Sequence, residues 1–396
     1  MIIIGIDGGA TKISGWQVLH DEKTGLFTLG DENIQKKYSE HDSFIGNFKP
    51  VDLKVQLEEL NSGINLTEEE IRQGNAYINA AADVITEFSR QHQGQKLLIG
   101  FGMPGLKTPD KRGITALMNG PRMPHFLEDI EKIVLSRGVE LYSSISHLGS
   151  DADYCGIGEE YSSSGMFKDV ENAYYLGGGT GVADALKLAG KLVTFDSARD
   201  WIAKAWEFKT KSGLSMERYA SASGIQYIYS TYSGIEVEEL NKNHFYPPQI
   251  LHAALQGEEA ALDTINDISV NIANLFFERI VTIYSGWKDT FDFVNPNRDP
   301  LKKEHAYAGT FVERIIVGQR LGDLLEESKD TGFLWDQILE ELSRLLSGVD
   351  DAKLKDYYLK NGKFNHEVIK ISKLREAPAL GAGIDAFLGL KGIGED

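Results

Sequence analysis

A strand, a glycine-rich turn and a second strand occur twice in this chain, and the recurrence limits its fold more than any other feature. Ile2, Ile3, Ile4 and Ile6 form the β-branched run that a buried strand needs. Asp7, Gly8, Gly9, Ala10, Thr11 and Lys12 then separate it from a second strand-like run over residues 13–18. The pattern returns as a strand over 172–176, the turn Gly177-Gly178-Gly179-Thr180-Gly181, and a strand over 182–188. Two such units roughly 170 residues apart predict two related domains facing each other across a cleft. A turn this rich in glycine leaves backbone N–H groups able to point at an anion and lets a phosphate approach the main chain. Asp7, at the strand's end, can hold hydrated Mg²⁺, and Thr11 and Lys12 can contact phosphate oxygens. For either copy taken alone, an ordinary hairpin with a surface turn is the competing reading.

The chain of 396 residues has room for two domains of ordinary size. Its net charge of −18 argues against nucleic acid or an anionic membrane as partner, since a duplex demands a basic face. One cysteine, Cys155, excludes an internal disulfide and a cysteine-only metal site, and is expected to be a buried small hydrophobe. The apolar start has no basic flank and is interrupted by Asp7, and no run approaches the roughly 18 apolar residues of a spanning helix. A cytoplasmic protein is expected.

Residues 19–60 are polar and poorly periodic, with a hairpin turn at 20–25. Thr67 and Glu70 then form a capping box that opens a helix, with Ile71, Ala76, Ile78, Ala81, Ala82, Ile85 and Phe88 as its apolar stripe. A strand over 97–101 ends in the loop Gly102-Met103-Pro104-Gly105; a second loop, 119–124, precedes a helix over 126–134. A weak strand over 141–147 leads to a helix start at Ser150-Asp151-Ala152-Asp153. There the unpaired N–H groups and the helix dipole favour an anionic Asp151. Asp151 or Asp153 as a plain helix cap is the alternative. Helices are expected over 216–229, 260–283 and 312–325, with a polar loop at 285–305, a charged and mostly helical insert at 328–366, and an apolar helix near the C-terminus.

Together these residues resemble the ROK family of sugar kinases and sugar-responsive repressors, within the actin/hexokinase/heat-shock chaperone superfamily, over most of the chain. Asp7-Gly8-Gly9-Ala10-Thr11-Lys12 is similar to the family's first phosphate motif, and Gly179-Thr180-Gly181 to its second. Gly102-Met103-Pro104-Gly105, with Asn119 and Pro124, resembles the loops near the sugar. Ser150-Asp151-Ala152-Asp153 with Gly158-Glu159 is similar to the motif whose Asp is the base. Glu217-Arg218-Tyr219-Ala220-Ser221 resembles the segment whose Glu touches the sugar, Ala308-Gly309-Thr310 falls where adenosine-side glycines belong, and Ala379-Leu380-Gly381-Ala382-Gly383 resembles the returning C-terminal helix. Four departures stand out. The zinc cysteines are absent, so no zinc is expected. Trp206-Glu207-Phe208-Lys209-Thr210 keeps a sugar-site Glu but loses its His, Ser150 replaces an Asn, and Ala183-Asp184-Ala185 replaces glycines.

The resemblance implies an α/β fold of two RNase H-like (actin-like ATPase) domains with a cleft between them. The first would be 1–148 plus 377–396, with the first phosphate loop and the sugar loops. The second would be 149–376, with the second phosphate loop, the adenosine side and the helical insert. The implied activity is transfer of phosphate from ATP to a hydroxyl of a hexose or N-acetylhexosamine, with Asp151 as general base. Asp7 would hold Mg²⁺ through water. Gly8, Gly9, Thr11, Lys12, Gly179, Thr180, Gly181, Gly309 and Thr310 would bind the nucleotide, and Gly105, Asn119, Ser150, Asp151, Glu207 and Glu217 the sugar. The expected partner is a small-molecule sugar, with no nucleic acid and no membrane, and a homodimer is compatible. Two other functions compete: a ROK-like sugar sensor that has lost catalysis, and a superfamily ATPase acting on another protein. Family repressors place a DNA-binding helix-turn-helix before the kinase-like part, and a first strand starting at Ile2 argues against that role.

Overall fold

Each glycine turn joins two strands of a five-stranded sheet, and the two sheets share one plan. In the computed structural model, which describes residues 1–392, the chain divides into two units: Met1–Ser164 with the segment from Glu376, and Gly165–Arg375. The first unit holds β1 (Ile2–Gly8), β2 (Lys12–His20), β3 (Phe27–Lys37), β4 (Leu97–Gly102), the hairpin of β5 (Leu106–Lys107) and β6 (Ile114–Ala116), and β7 (Leu148–Gly149). Its sheet runs β3-β2-β1-β4-β7; the β1–β2 and β2–β3 pairs are antiparallel, and β1–β4 and β4–β7 are parallel. The second unit holds β8 (Ala173–Gly178), β9 (Val182–Leu188) and β10 (Lys191–Val193), then a ribbon of β11 (Phe208–Lys209) and β12 (Asp292–Phe293). β13 (Arg314–Gly318), the hairpin of β14 (Leu359–Lys360) and β15 (Lys363–Phe364), and β16 (Ile369–Ile371) complete it. Its sheet runs β10-β9-β8-β13-β16 with the same sequence of antiparallel and parallel pairs. The fold is α/β, built from two RNase H-like domains.

The apolar runs around the glycine turns form the centres of these sheets because their Ile, Val and Leu side chains are buried. In the first unit the C-terminal helix Ala377–Leu390 lies against β1 and β4, backbone to backbone. A Cβ added to Gly5 would fall 1.8 Å from the Ala379 carbonyl oxygen, and one added to Gly100 would fall 1.7 Å from that of Ala382. The small residues of that helix are therefore a packing requirement. The helix Asp151–Tyr161 packs along the same C-terminal helix, which keeps it in the first unit; the division falls after Ser164, later than the boundary at residue 148 read from sequence.

The capping box at Thr67 forms: its Oγ1 accepts from the Glu70 N–H at 3.1 Å, and Glu70 Oε2 accepts from the Thr67 N–H at 3.1 Å. It opens the helix Glu68–Gln91. Ile71, assigned to the apolar stripe, is instead 50% exposed, whereas Glu70 is buried because Arg122 pairs with it. Residues 19–60 conceal the 11-residue β3 and a helix, Leu53–Ser62. β3 is an edge strand whose many solvated polar side chains give no apolar run. The strand expected over 141–147 reduces to a single bridge at Leu141, followed by the two-residue β7. The helix expected over 216–229 breaks at Ser221, whose extended backbone and side chain cap Ala222–Ser233. The helix expected over 312–325 is β13 followed by the helix Gln319–Ser328, since Ile315, Ile316 and Val317 are buried between β8 and β16. Among the described residues no helix is long and apolar enough to cross a membrane.

Candidate functional site

β1, β4 and β7 are parallel neighbours, so their C-terminal ends bring Asp7, the loop 102–105 and Asp151 to one sheet edge. Such an edge is where open α/β sheets bind ligands. The Met103 N–H donates to the Gly149 carbonyl at 3.4 Å and ties that loop to β7. Asp151 is the first residue of its helix, but it is not the cap. Ser150 Oγ accepts from the Asp153 N–H at 3.1 Å and donates to Asp153 Oδ2 at 3.0 Å, so Ser150 and Asp153 close the helix end. Among the described residues Asp151 Oδ1 is buried without a hydrogen-bond partner. Burial pushes the Asp151 carboxyl up to about 6, against the opposing charge of Lys107. The Asp7 carboxyl is also held well above its usual range, first by burial and then by the charges of Asp151 and Glu376, with Lys12 opposing.

Lys107 is a member of this group that the sequence reading missed. Its ammonium donates to the Gly105 carbonyl at 2.9 Å and to that of Met103, and burial lowers its pKa to about 8. Its only sequence signal is a lysine two residues beyond Gly105. Gly105 itself has φ +97°, and a Cβ there would lie 2.6 Å from the Ala116 carbonyl oxygen. Asn119 is exposed on a loop fixed from beneath by Arg122. That side chain, 1% exposed, grips both Glu70 oxygens at 2.7 Å, bonds Glu59, and reaches the Asn65 carbonyl at 3.1 Å.

In the second unit the turn 179–182 is equally well tied. The Ala222 N–H donates to the Gly179 carbonyl at 2.9 Å and Ser223 Oγ to the Thr180 carbonyl at 2.6 Å. Glu217 lies on this turn: its Oε1 accepts from the Val182 N–H at 3.3 Å and would stand 2.8 Å from a Cβ on Gly181. Gly309 lies in a loop whose N–H donates to the Tyr284 carbonyl at 2.7 Å, followed by Thr310. The residue found against Gly179 is Gln319, at the β13–helix junction, with its Oε1 2.4 Å from a Cβ built on Gly179. Gln319 has φ +59°, a left-handed conformation rare for such a side chain, and Gly318 after a β-branched run was the signal that could have found it.

Glu207 is held in an ion pair. Its Oε1 accepts from Arg298 Nε at 2.9 Å and its Oε2 from the Lys204 N–H at 2.7 Å, beside a cavity of about 580 Å³ also lined by Arg199, Asp200, Asn297 and Lys302. In the loop before Glu217 a chain of hydroxyls closes on itself: Thr210 to Ser212 at 2.8 Å, Ser212 to Tyr219 at 2.6 Å, and Thr210 to the Leu214 carbonyl at 3.0 Å. Exhaustive dialysis against a chelator is therefore expected to leave the melting temperature unchanged, as a thermal scan would report. A large drop reversed by zinc would overturn this.

No protein-family model matches the chain, and no curated protein matches it by sequence. Solved structures do. A ROK hexokinase from Thermus thermophilus is similar at 15% identity and TM-score 0.56, over 99% of this chain and 100% of the other. A ROK-family glucokinase from Streptomyces griseus, solved with glucose and AMPPNP, is similar at 14% identity and TM-score 0.55, over 97% and 98%. A ROK-family protein from Streptococcus pneumoniae, solved with sucrose, follows at 14% and 0.52, over 99% and 100%. The chain has the fold of the ROK-family sugar kinases along nearly its whole length.

Proposed function

We propose that this protein is an ATP-dependent kinase that phosphorylates a hydroxyl of a hexose or N-acetylhexosamine, with Asp151 as general base. The observation that carries the reading is the buried, unpartnered Oδ1 of Asp151 at the sheet edge that also bears Asp7. The fold shared with a glucokinase solved with glucose and AMPPNP supports it. In phosphoryl transfer a protein mainly positions the acceptor and neutralises charge. Asp151 takes the proton of the attacking hydroxyl as that oxygen bonds to the γ-phosphorus and the bond from the γ-phosphorus to the β,γ-bridging oxygen breaks, releasing ADP. In the first unit Gly8, Gly9, Thr11 and Lys12 bind phosphate oxygens, and in the second Gly179, Thr180 and Gly181 do. Gly105 and Asn119 in the first unit, and Glu217 in the second, are the candidates for binding sugar hydroxyls, whereas Ser150 and Glu207 are committed to a helix cap and an ion pair.

Asp7 suits hydrated Mg²⁺, because the neighbouring Asp151 and Glu376 charges that burden its carboxylate are relieved by a dication. Mg²⁺ would supply charge neutralisation of the phosphate oxygens.

The test is ADP release from ATP·Mg²⁺ across hexoses, hexosamines and N-acetylhexosamines. The base works only when ionised, so with the Asp151 carboxyl of the free protein raised to about 6, kcat/KM is expected to climb as pH rises through about 6 and then level off. A carboxylate at its ordinary value would give a flat profile above about pH 5. A protein that binds a sugar yet phosphorylates none is a sensor.

A further inference from the structure

We infer that Tyr38 and Tyr77 clamp the backbone of the first glycine turn so that its N–H groups face the phosphates of the nucleotide, an inference that rests on the kinase reading above. Four consecutive carbonyls of the turn each accept a hydrogen bond from the protein. The Tyr38 hydroxyl donates to Gly9 at 2.8 Å and the Tyr77 hydroxyl to Ala10 at 3.4 Å. The Tyr38 N–H donates to Thr11 at 3.2 Å and the Gly9 N–H to Lys12 at 2.9 Å. The peptide bonds here are trans, and a trans peptide points its C=O and the following N–H in opposite directions. Drawing the carbonyls of Gly9 and Ala10 toward the two tyrosine hydroxyls therefore turns the N–H groups of Ala10 and Thr11 the other way. Both of those residues are exposed. Successive N–H groups facing one point make an anion nest, and Lys12 adds a cation beside it.

An ordinary two-strand turn needs no side chains on its carbonyls. Here two buried phenols, one directly after β3 and one on the helix Glu68–Gln91, converge on it, with rings stacked 3.6 Å apart at 15°. The stack fixes both hydroxyls with little rotamer freedom. Burial raises the phenol of Tyr38 well above its ordinary value and that of Tyr77 to about 12, so both stay protonated donors in neutral solution. The tyrosines lie behind the turn and are positioning residues.

Tyr38→Phe and Tyr77→Phe keep the stack and remove one donor each. Titration calorimetry on the full chain would compare Mg²⁺-loaded ATP, Mg²⁺-loaded inorganic tripolyphosphate, and adenosine. Tyr38→Phe is expected to weaken ATP and tripolyphosphate about 10-fold, the worth of one hydrogen bond, and to leave adenosine unchanged. Tyr77→Phe should show the same selectivity with a smaller effect, in line with its longer bond, and serves if Tyr38→Phe does not fold. Equal losses for all three ligands, or none, would make the tyrosines purely structural and overturn the inference while leaving the kinase reading intact. A wild type that binds neither ATP nor tripolyphosphate would overturn both.

Discussion

Asp151→Asn is expected to yield a folded protein that still binds nucleotide and sugar while kcat falls by roughly 10²–10⁴, the range typical of a general base. The structure makes this substitution clean. The helix end is closed by Ser150 and Asp153, so the exchange takes no cap away. Asn has nearly the shape of Asp but no capacity to take a proton. Removing a buried charge should also leave stability unchanged or raise it, since the Asp151 carboxyl is destabilised by burial. Asp153→Asn is the control: it weakens the reciprocal cap, with a cost of about 1 kcal/mol in stability and little change in kcat. Near-full turnover in Asp151→Asn, with kcat retained at saturating sugar, would remove Asp151 from the role of base. A pH profile of wild type and variant side by side would show whether the limb near pH 6 disappears with the carboxylate.

The second large effect is in stability. Arg279→Met is expected to destabilise the fold by about 3–5 kcal/mol, the usual consequence of leaving buried charges without their partner. Arg279 is fully buried on the helix Glu259–Ser285, with Glu278 beside it at 2.7 Å and Asp184 of β9 at 3.3 Å. Asp184 also accepts from the Tyr174 hydroxyl at 2.6 Å and from the Ala205 N–H at 2.9 Å, and Glu278 from Thr282 Oγ1 at 2.7 Å. The guanidinium lies 5.0 Å from the Tyr174 ring centroid and 5.1 Å from that of Phe208, so cation–π attraction adds to the ion pairs. Methionine fills much of the volume, which separates the charge effect from a cavity. Burial already pushes the Glu278 carboxyl up, and it should take a proton once the cation is gone. Chemical denaturation measures the loss. A change below about 1 kcal/mol would mean that water reaches the cluster. The network also accounts for the acid in Ala183-Asp184-Ala185: this residue pins β9 to the long helix and to the segment just before Glu207.

What the sequence determined by itself was whatever rests on neighbours along the chain. The apolar runs beside each glycine turn, the capping box at Thr67 and the helix start at Ser150 are local signals, and they appear where the sequence puts them. Asp7 and Asp151 were legible because each stands at a strand end beside a glycine turn or a helix start. β3 and β13 were not, because an edge strand carries polar side chains and a buried Ile-Ile-Val run before an amphipathic helix reads as part of that helix. Tertiary structure alone decided the surroundings of the site. Arg122 meets Glu70 across 52 residues, Tyr38 reaches Gly9 across 29, and Arg298 holds Glu207 across 91. Nothing in the local chain selects such partners. They are chosen by which side chains the packed sheets and helices bring together out of water, where an unpaired polar group costs far more than a paired one.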